Sequence, residues 1–224
     1  ANLESDAALK HVKPGYIGFS SEGLDGWKAS KATIDLDGTR FELKKGKKVI
    51  RVNSQIIGEH LIGVLSATAV IANRLGMSIP DIEAGFAHTK PYEHRMQPYR
   101  LSGAWVIDDA YNGNIQGIEA GTKLLASLKA ARKIYVTPGL VDQGSETTAI
   151  HEKMGRLIAN AKPDIVVLMK NSVTDAIKRG LNESAYKGEI IIQQDALTFY
   201  TNLDQFVAAG DVVLLQNDWT DNYQ

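Results

Sequence analysis

Trp105-Val106-Ile107-Asp108-Asp109-Ala110-Tyr111-Asn112-Gly113-Asn114 runs from an apolar triplet into two carboxylates, an aromatic ring and two amides. A buried strand that ends in Asx residues and is followed by helical spacing marks a strand-to-helix connection. Four more runs of the same kind follow: Ile134-Tyr135-Val136, Ile165-Val166-Val167-Leu168, Ile190-Ile191-Ile192 and Val212-Val213-Leu214-Leu215. Helical spacing fills the gaps near 117–131, 146–161, 173–181 and 196–208. Continuous aliphatic strands separated by helices predict an α/β fold, a Rossmann-like and mostly parallel sheet covered by helices on both faces. Ligands of such sheets bind beyond the carboxyl ends of the strands, so the loops after Ile107 and Val136 are where a site is expected.

Toward the amino terminus the pattern changes. Short alternating runs at Ala32–Leu36, Arg40–Leu43 and Lys48–Val52 predict a small antiparallel sheet with one wet face, with Asp37-Gly38 as a hairpin turn pair. Ile62, Leu65, Ala69, Ala72 and Leu75 then fall at helical spacing with Gly76 as the stop, and Ser78 and Pro80 open a shorter helix. The proline-containing stretch from His88 to Pro98 is read as a linker. The expected division is therefore 1–98 and 99–224.

Composition narrows the partners. Lys and Arg number 25 against 26 Asp and Glu, a formal net charge of −1, which gives no electrostatic case for nucleic acid or an anionic membrane. The absence of cysteine removes disulfides, thiolate chemistry and cysteine-ligated zinc, and no paired-histidine metal motif is present. No apolar run approaches the ~20 residues of a membrane span. The first residues, Ala-Asn-Leu-Glu-Ser-Asp, lack the order of a signal peptide, so a cytoplasmic location is the default.

Three segments could carry chemistry. Asp109 can accept hydrogen bonds from ribose hydroxyls, and Asn112 and Asn114 offer donors and acceptors to a purine edge; capping of a turn by Asp and Asn is the competing reading. Arg95, after His94 in the linker, can grip a terminal phosphate, or can be a solvated arginine with its stem on the surface. Gly139 and Gly144 stand in a strand-to-helix loop where backbone can approach an anion, a weak signal by itself. His60, at a helix start after Gly58, and His151, inside a helix, suit packing or capping better than catalysis. Gly121-Thr122-Lys123 imitates the tail of a phosphate-binding loop, but no G-x-x-x-x-G-K-[ST] occurs anywhere in the chain.

Taken in order, these pieces resemble the Mur ligase family. Gly58-Glu59-His60 with Arg74-Leu75-Gly76 is similar to the family's G-x-H helix, and His94-Arg95-Met96 to its linker arginine motif. Asp109-Ala110-Tyr111-Asn112-Gly113-Asn114 resembles D-x-Y-N-A-N-P. Thr137–Leu140 with Gly144 and His151–Gly155 resembles the G-x-M-x-E-L-G…H…G stretch, and Gly210–Leu214 the closing G-D-x-v-L strand. The resemblance spans roughly residues 56–216 and favours the muramyl-tripeptide branch. It implies an ATP-dependent ligase with magnesium, acting through an acyl phosphate on a UDP-muramyl peptide and a D-amino-acid dipeptide. It also implies that Asp109 holds the ribose, that His94, Tyr111, Asn112 and Asn114 lie near the nucleotide, and that Arg95 reaches the γ-phosphate.

By the same resemblance, residues 1–98 are the end of a central ATP-binding domain and 99–224 a C-terminal domain. The phosphate-binding loop, magnesium ligands, carbamylated lysine and UDP-substrate domain would then precede residue 1, in upstream domains of the same ligase. The isolated chain is accordingly expected to be inactive. Departures are also present. Leu61 and Val64 stand where the family carries adenine-contacting asparagines, Ile115 and Gly117 replace a Pro and a Ser, and Gln216-Asn217-Asp218 replaces Lys-Gly-Ser. A non-catalytic Mur-like binding module and a ligase of the folylpolyglutamate or cyanophycin type are the alternatives.

Overall fold

The computed structural model describes residues 1–111 and 113–216. Two compact units result, Ala1–Pro91 and Tyr92–Gln224.

In the first unit a one-turn helix, α1 (Asp6–Leu9), precedes a five-stranded antiparallel sheet in sequential order. Its strands are β1 (Phe19–Ser20), β2 (Gly23–Leu24), β3 (Trp27–Asp35), β4 (Gly38–Lys45) and β5 (Lys48–Ser54). Alternation sorts the side chains: Phe41, Leu43, Ile50 and Val52 are buried, while Lys44, Lys48 and Arg51 face water. The turn differs by one residue from the sequence reading. Gly38 opens β4 at φ +141°, opposite Asp35, and Leu36 and Asp37 make the bend. A Cβ on Gly38 would stand 2.0 Å from the Ser54 carbonyl oxygen, so strand contact selects this glycine.

Against the sheet pack α2 (Ile62–Arg74) and α3 (Ile79–Ala87), burying Leu65, Ala69, Val70, Ile82 and Phe86 with Trp27 and the strand residues. Gly76 at φ +93° ends α2 and the Ser78 hydroxyl caps α3, both where the spacing places them. The outer side of α2 keeps Ile71, Leu75 and Met77 exposed.

The second unit is a six-stranded sheet of order β10-β9-β8-β11-β7-β6. Its strands are β6 (Gln97–Leu101), β7 (Ala104–Asp109), β8 (Lys133–Thr137), β9 (Ile165–Met169), β10 (Glu189–Gln193) and β11 (Val212–Gln216). Five run parallel; β6 pairs antiparallel with β7 at the edge. The helices are α4 (Ile115–Ser127), α5 (Thr147–Ala161), α6 (Thr174–Glu183), α7 (Ala196–Thr201) and α8 (Leu203–Phe206). Phe199, Leu203 and Val207 cover one sheet face, over Val106, Val136, Val167 and Val213. On the other face α4 packs on β11 and α5, and α5 on α6.

The five parallel strands and the helices on both faces are as the sequence predicts. Three details differ. Residues 97 and 98, read as linker, open β6; Pro98 is tolerated because an edge strand leaves some N–H positions unpaired. Helix α4 stops at Ser127 because Leu128 turns extended at ψ 149°, and the stretch 196–208 breaks at Asn202 into two short helices.

Candidate nucleotide site at the carboxyl edge of the sheet

Strand β7 delivers Asp108 and Asp109 to the carboxyl edge on opposite faces of the sheet. The Asp108 carboxylate bonds the His94 Nδ1 at 2.8 Å and accepts from the Ala110 N–H at 3.1 Å. That bond, with the charge of Asp108, holds the His94 imidazole above its ordinary pKa. The Met96 N–H donates to Asp109 Oδ1 at 3.1 Å, and Met96 is buried. His94 and Met96 therefore sit on either side of Arg95 with their side chain or backbone pinned to the strand end.

Both also adopt left-handed backbone, φ +58° and +46°. Each such residue costs about 1–2 kcal/mol, so the neighbouring bonds must offset the strain. The result is a rigid bend that projects Arg95. Its guanidinium carbon lies 4.4 Å from the centroid of the Tyr111 ring, and Tyr111 packs edge-on to Tyr92 with centroids 6.4 Å apart. The Tyr111 N–H donates to the His94 carbonyl at 3.1 Å, closing the segment onto the loop after β7.

Asp109 points to the α4 side, where Gln216 meets it. The two residues are register partners on β11 and β7. Gln216 Nε2 donates to Asp109 Oδ2 at 3.0 Å and to the Gly117 carbonyl at 2.8 Å, and the Tyr135 hydroxyl donates to Gln216 Oε1 at 3.0 Å. Burial pushes the Asp109 carboxyl up to about 6. The bonds from Gln216 and Met96 and the charge of Arg95 oppose that rise, and Asp108 adds to it.

This shift has a measurable consequence. The folded chain binds a proton at Asp109 more tightly than the unfolded chain, whose carboxyl keeps its ordinary pKa near 3.8. The ionised group therefore costs stability above pH 6, and that cost disappears as pH falls toward 4. Relative to the parent, Asp109→Asn should gain roughly 2–3 kcal/mol between pH 4 and pH 7. Urea unfolding of both proteins at the two pH values checks it; a pH-independent difference would mean that Asp109 titrates normally.

The remaining candidates fall out as follows. Asn114 caps α4, its Oδ1 accepting from the Gly117 N–H at 2.8 Å, which is the capping role weighed against a purine contact. Asn112 lies outside the described residues, as do Asn217 and Asp218. In the loop after β8, Gly139 has φ +101°, and a Cβ there would stand 2.6 Å from Val173 and 2.9 Å from His151 Nε2. Close packing thus accounts for the glycine. His151 is fully buried; its Nε2 accepts from the Leu140 N–H at 2.8 Å and its Nδ1 faces the Thr147 carbonyl at 2.6 Å. Burial lowers its pKa, so it stays neutral as a clamp on this loop. Gly144, at φ +54°, opens the 3₁₀ turn before α5. His60 belongs to the first unit, in a 3₁₀ turn just ahead of α2. Among the described residues no three His, Asp or Glu side chains converge as a metal site.

Two participants escape the sequence reading. Gln216 enters it only as a departure from a motif, and Tyr135 only as a strand residue. A tyrosine inside an aliphatic strand does carry a signal, because its buried hydroxyl needs a partner.

A family profile described as "Mur ligase, glutamate ligase domain" matches residues 94–216, more than half of the chain. The UDP-N-acetylmuramoyl-tripeptide–D-alanyl-D-alanine ligase of Mycobacterium tuberculosis (strain CDC 1551 / Oshkosh) is 28% identical over 200 residues, covering 85% of this chain and 38% of that protein. Among solved structures, MurF from Acinetobacter baumannii superposes with a TM-score of 0.75 at 21% identity, over 97% of this chain and 47% of its own. MurF ligase from Thermotoga maritima, in complex with ADP, gives 0.74 at 21% identity over 96% and 48%. The chain thus spans less than half the length of these relatives.

Proposed function

Because the chain belongs to the Mur ligase family, we propose that it is the carboxyl-terminal part of an ATP-dependent ligase that joins a D-alanyl-D-alanine dipeptide to a UDP-muramyl tripeptide. The observation that carries the reading is the Asp109–Met96 bond, which ties the backbone next to Arg95 to a carboxylate at the strand end, while the Arg95 guanidinium lies over the Tyr111 ring of the loop that follows. Asp109 accepts from the ribose hydroxyls of ATP, and Arg95 meets a phosphate oxygen with its fork of donors. The similarity to the UDP-N-acetylmuramoyl-tripeptide–D-alanyl-D-alanine ligase of Mycobacterium tuberculosis supports the choice of substrates.

The reaction begins when a carboxylate oxygen of the muramyl peptide attacks the γ-phosphorus and ADP leaves. The dipeptide amine then attacks the acyl carbon and inorganic phosphate departs, leaving an amide. In this chain Arg95 stabilises charge on the transferred phosphoryl group, which is where preorganised donors contribute most. Magnesium would accompany the nucleotide, its ligands supplied by the rest of the ligase that the family resemblance implies. No helix among the described residues is long and apolar enough to cross a membrane.

Phosphate release by the product of the native gene tests the proposal. Release is expected only when ATP, UDP-muramyl tripeptide and D-alanyl-D-alanine are all present, whereas release driven by a folate and glutamate would replace the substrates and no release at all would sink the reading. The isolated 224-residue chain, with no G-x-x-x-x-G-K-[ST] sequence, is expected to release none.

A further inference from the structure

We infer that Gln216 is a positioning residue for the nucleotide: its buried amide fixes the Asp109 carboxylate in the orientation that receives the ribose diol. The inference rests on the proposed ribose role of Asp109 and concerns what makes that role possible. Gln216 is 2% exposed, and each polar atom of its amide is committed. Oε1 takes the Tyr135 hydroxyl, and the two hydrogens of Nε2 go to Asp109 Oδ2 and the Gly117 carbonyl. One side chain thereby joins the ends of β7 and β11 and the middle of β8 to the first turn of α4.

The amide has no room to turn away. A Cβ on Gly121 would stand 2.3 Å from Gln216 Nε2, so the group lies directly against the backbone of α4. The Gly117 carbonyl, which can only accept, fixes Nε2 toward itself and Asp109, and the fully buried Tyr135 hydroxyl then donates to Oε1. With Oδ2 held by Gln216 and Oδ1 by the Met96 N–H, the carboxylate plane is fixed from two sides. Each oxygen keeps a further lone pair, the number needed for the two hydroxyls of a ribose. Gln216 is a neutral donor, so it orients the carboxylate without adding a charge of its own.

Gln216→Met keeps the length and volume of the side chain and removes all three bonds. The measurement is the affinity of the full chain for ADP and for 2′,3′-dideoxy-ADP, titrated by NMR into the millimolar range. The parent is expected to prefer ADP by roughly tenfold, the scale of hydrogen bonds to a charged acceptor. Gln216→Met should reduce that preference to near unity while leaving the affinity for the dideoxy nucleotide unchanged, a separation that general destabilisation would not produce. Tyr135→Phe, which deletes only the hydroxyl, should reduce the preference part of the way and serves if the methionine variant does not fold. A full preference for ADP in folded Gln216→Met, or in Tyr135→Phe where that variant alone folds, overturns the inference while the ribose reading stands. Absence of any preference in the parent overturns both, and loss of the preference in Asp109→Ala confirms that the diol is read at this carboxylate.

Discussion

Asp211→Ala is expected to lower the unfolding free energy at pH 7 by about 3 kcal/mol, the cost of dismantling a buried charge pair together with its backbone bond. Asp211 immediately precedes β11 and its side chain is 1% exposed. Arg132 grips it from both nitrogens, Nε at 3.0 Å from Oδ1 and Nη2 at 2.5 Å from Oδ2, and the Ala208 N–H donates to Oδ2 at 2.8 Å. The same Arg132 Nη2 reaches the Phe206 carbonyl at 3.5 Å. One carboxylate therefore ties the segment after α8 to the start of β8 and of β11.

Burial is the largest influence on this carboxyl and pushes its pKa up, yet the Arg132 fork and the Ala208 bond together hold it below the ordinary value. A lowered folded pKa means that the stabilisation is complete above pH 4 and is lost as pH falls through the folded value. The gap between parent and Asp211→Ala should accordingly narrow in acid. Urea unfolding at pH 7 and pH 3 reads both quantities; equal midpoints at pH 7 would show the pair to be energetically idle. Arg132 is 40% exposed, so it can rehydrate when its partner is removed, which keeps the estimate at the lower end of buried-pair losses.

The ease of reading this chain varies with the distance over which its signals act. The parallel strands are legible because Ile165–Leu168 and Val212–Leu215 are unbroken aliphatic runs that only a doubly covered sheet can bury. β6 is not, because Pro98 reads as a breaker and only pairing with β7 shows that it lies at an edge. In the site, Asp109, His94 and Arg95 stand out as local motifs. Their connections do not: His94 and Asp108 are 14 residues apart, and Gln216 and Asp109 are 107 apart. Asn114 and Gly139 look the same in sequence whether they serve a ligand or the fold. The cap on α4 and the packing against His151 identify a structural use for each.

Gly180→Ala should destabilise the second unit by about 3 kcal/mol, the upper range for overpacking a close contact. Local preference points the other way, since alanine in place of a helical glycine gains about 1 kcal/mol. The geometry decides between them. A Cβ on Gly180 of α6 would stand 2.0 Å from the Glu152 carbonyl oxygen and 3.0 Å from the Arg156 nitrogen of α5, and one on Gly155 would stand 2.2 Å from the Ile177 carbonyl oxygen. These neighbours are helix backbone and cannot swing aside as a side chain would. Relief requires the two helices to separate by more than about 1 Å, which loosens the buried packing of Met154, Ile158, Ile177 and Leu181 that contact distance supports. The Arg179–Glu152 and Arg156–Glu183 ion pairs across the helices, each at 2.8 Å, are about half exposed on at least one side and add little to resist that movement. Thermal and urea unfolding of Gly180→Ala, with Gly155→Ala as an independent probe of the same contact, measure the outcome. A rise in stability for either variant would mean that α5 and α6 do not touch through their backbones.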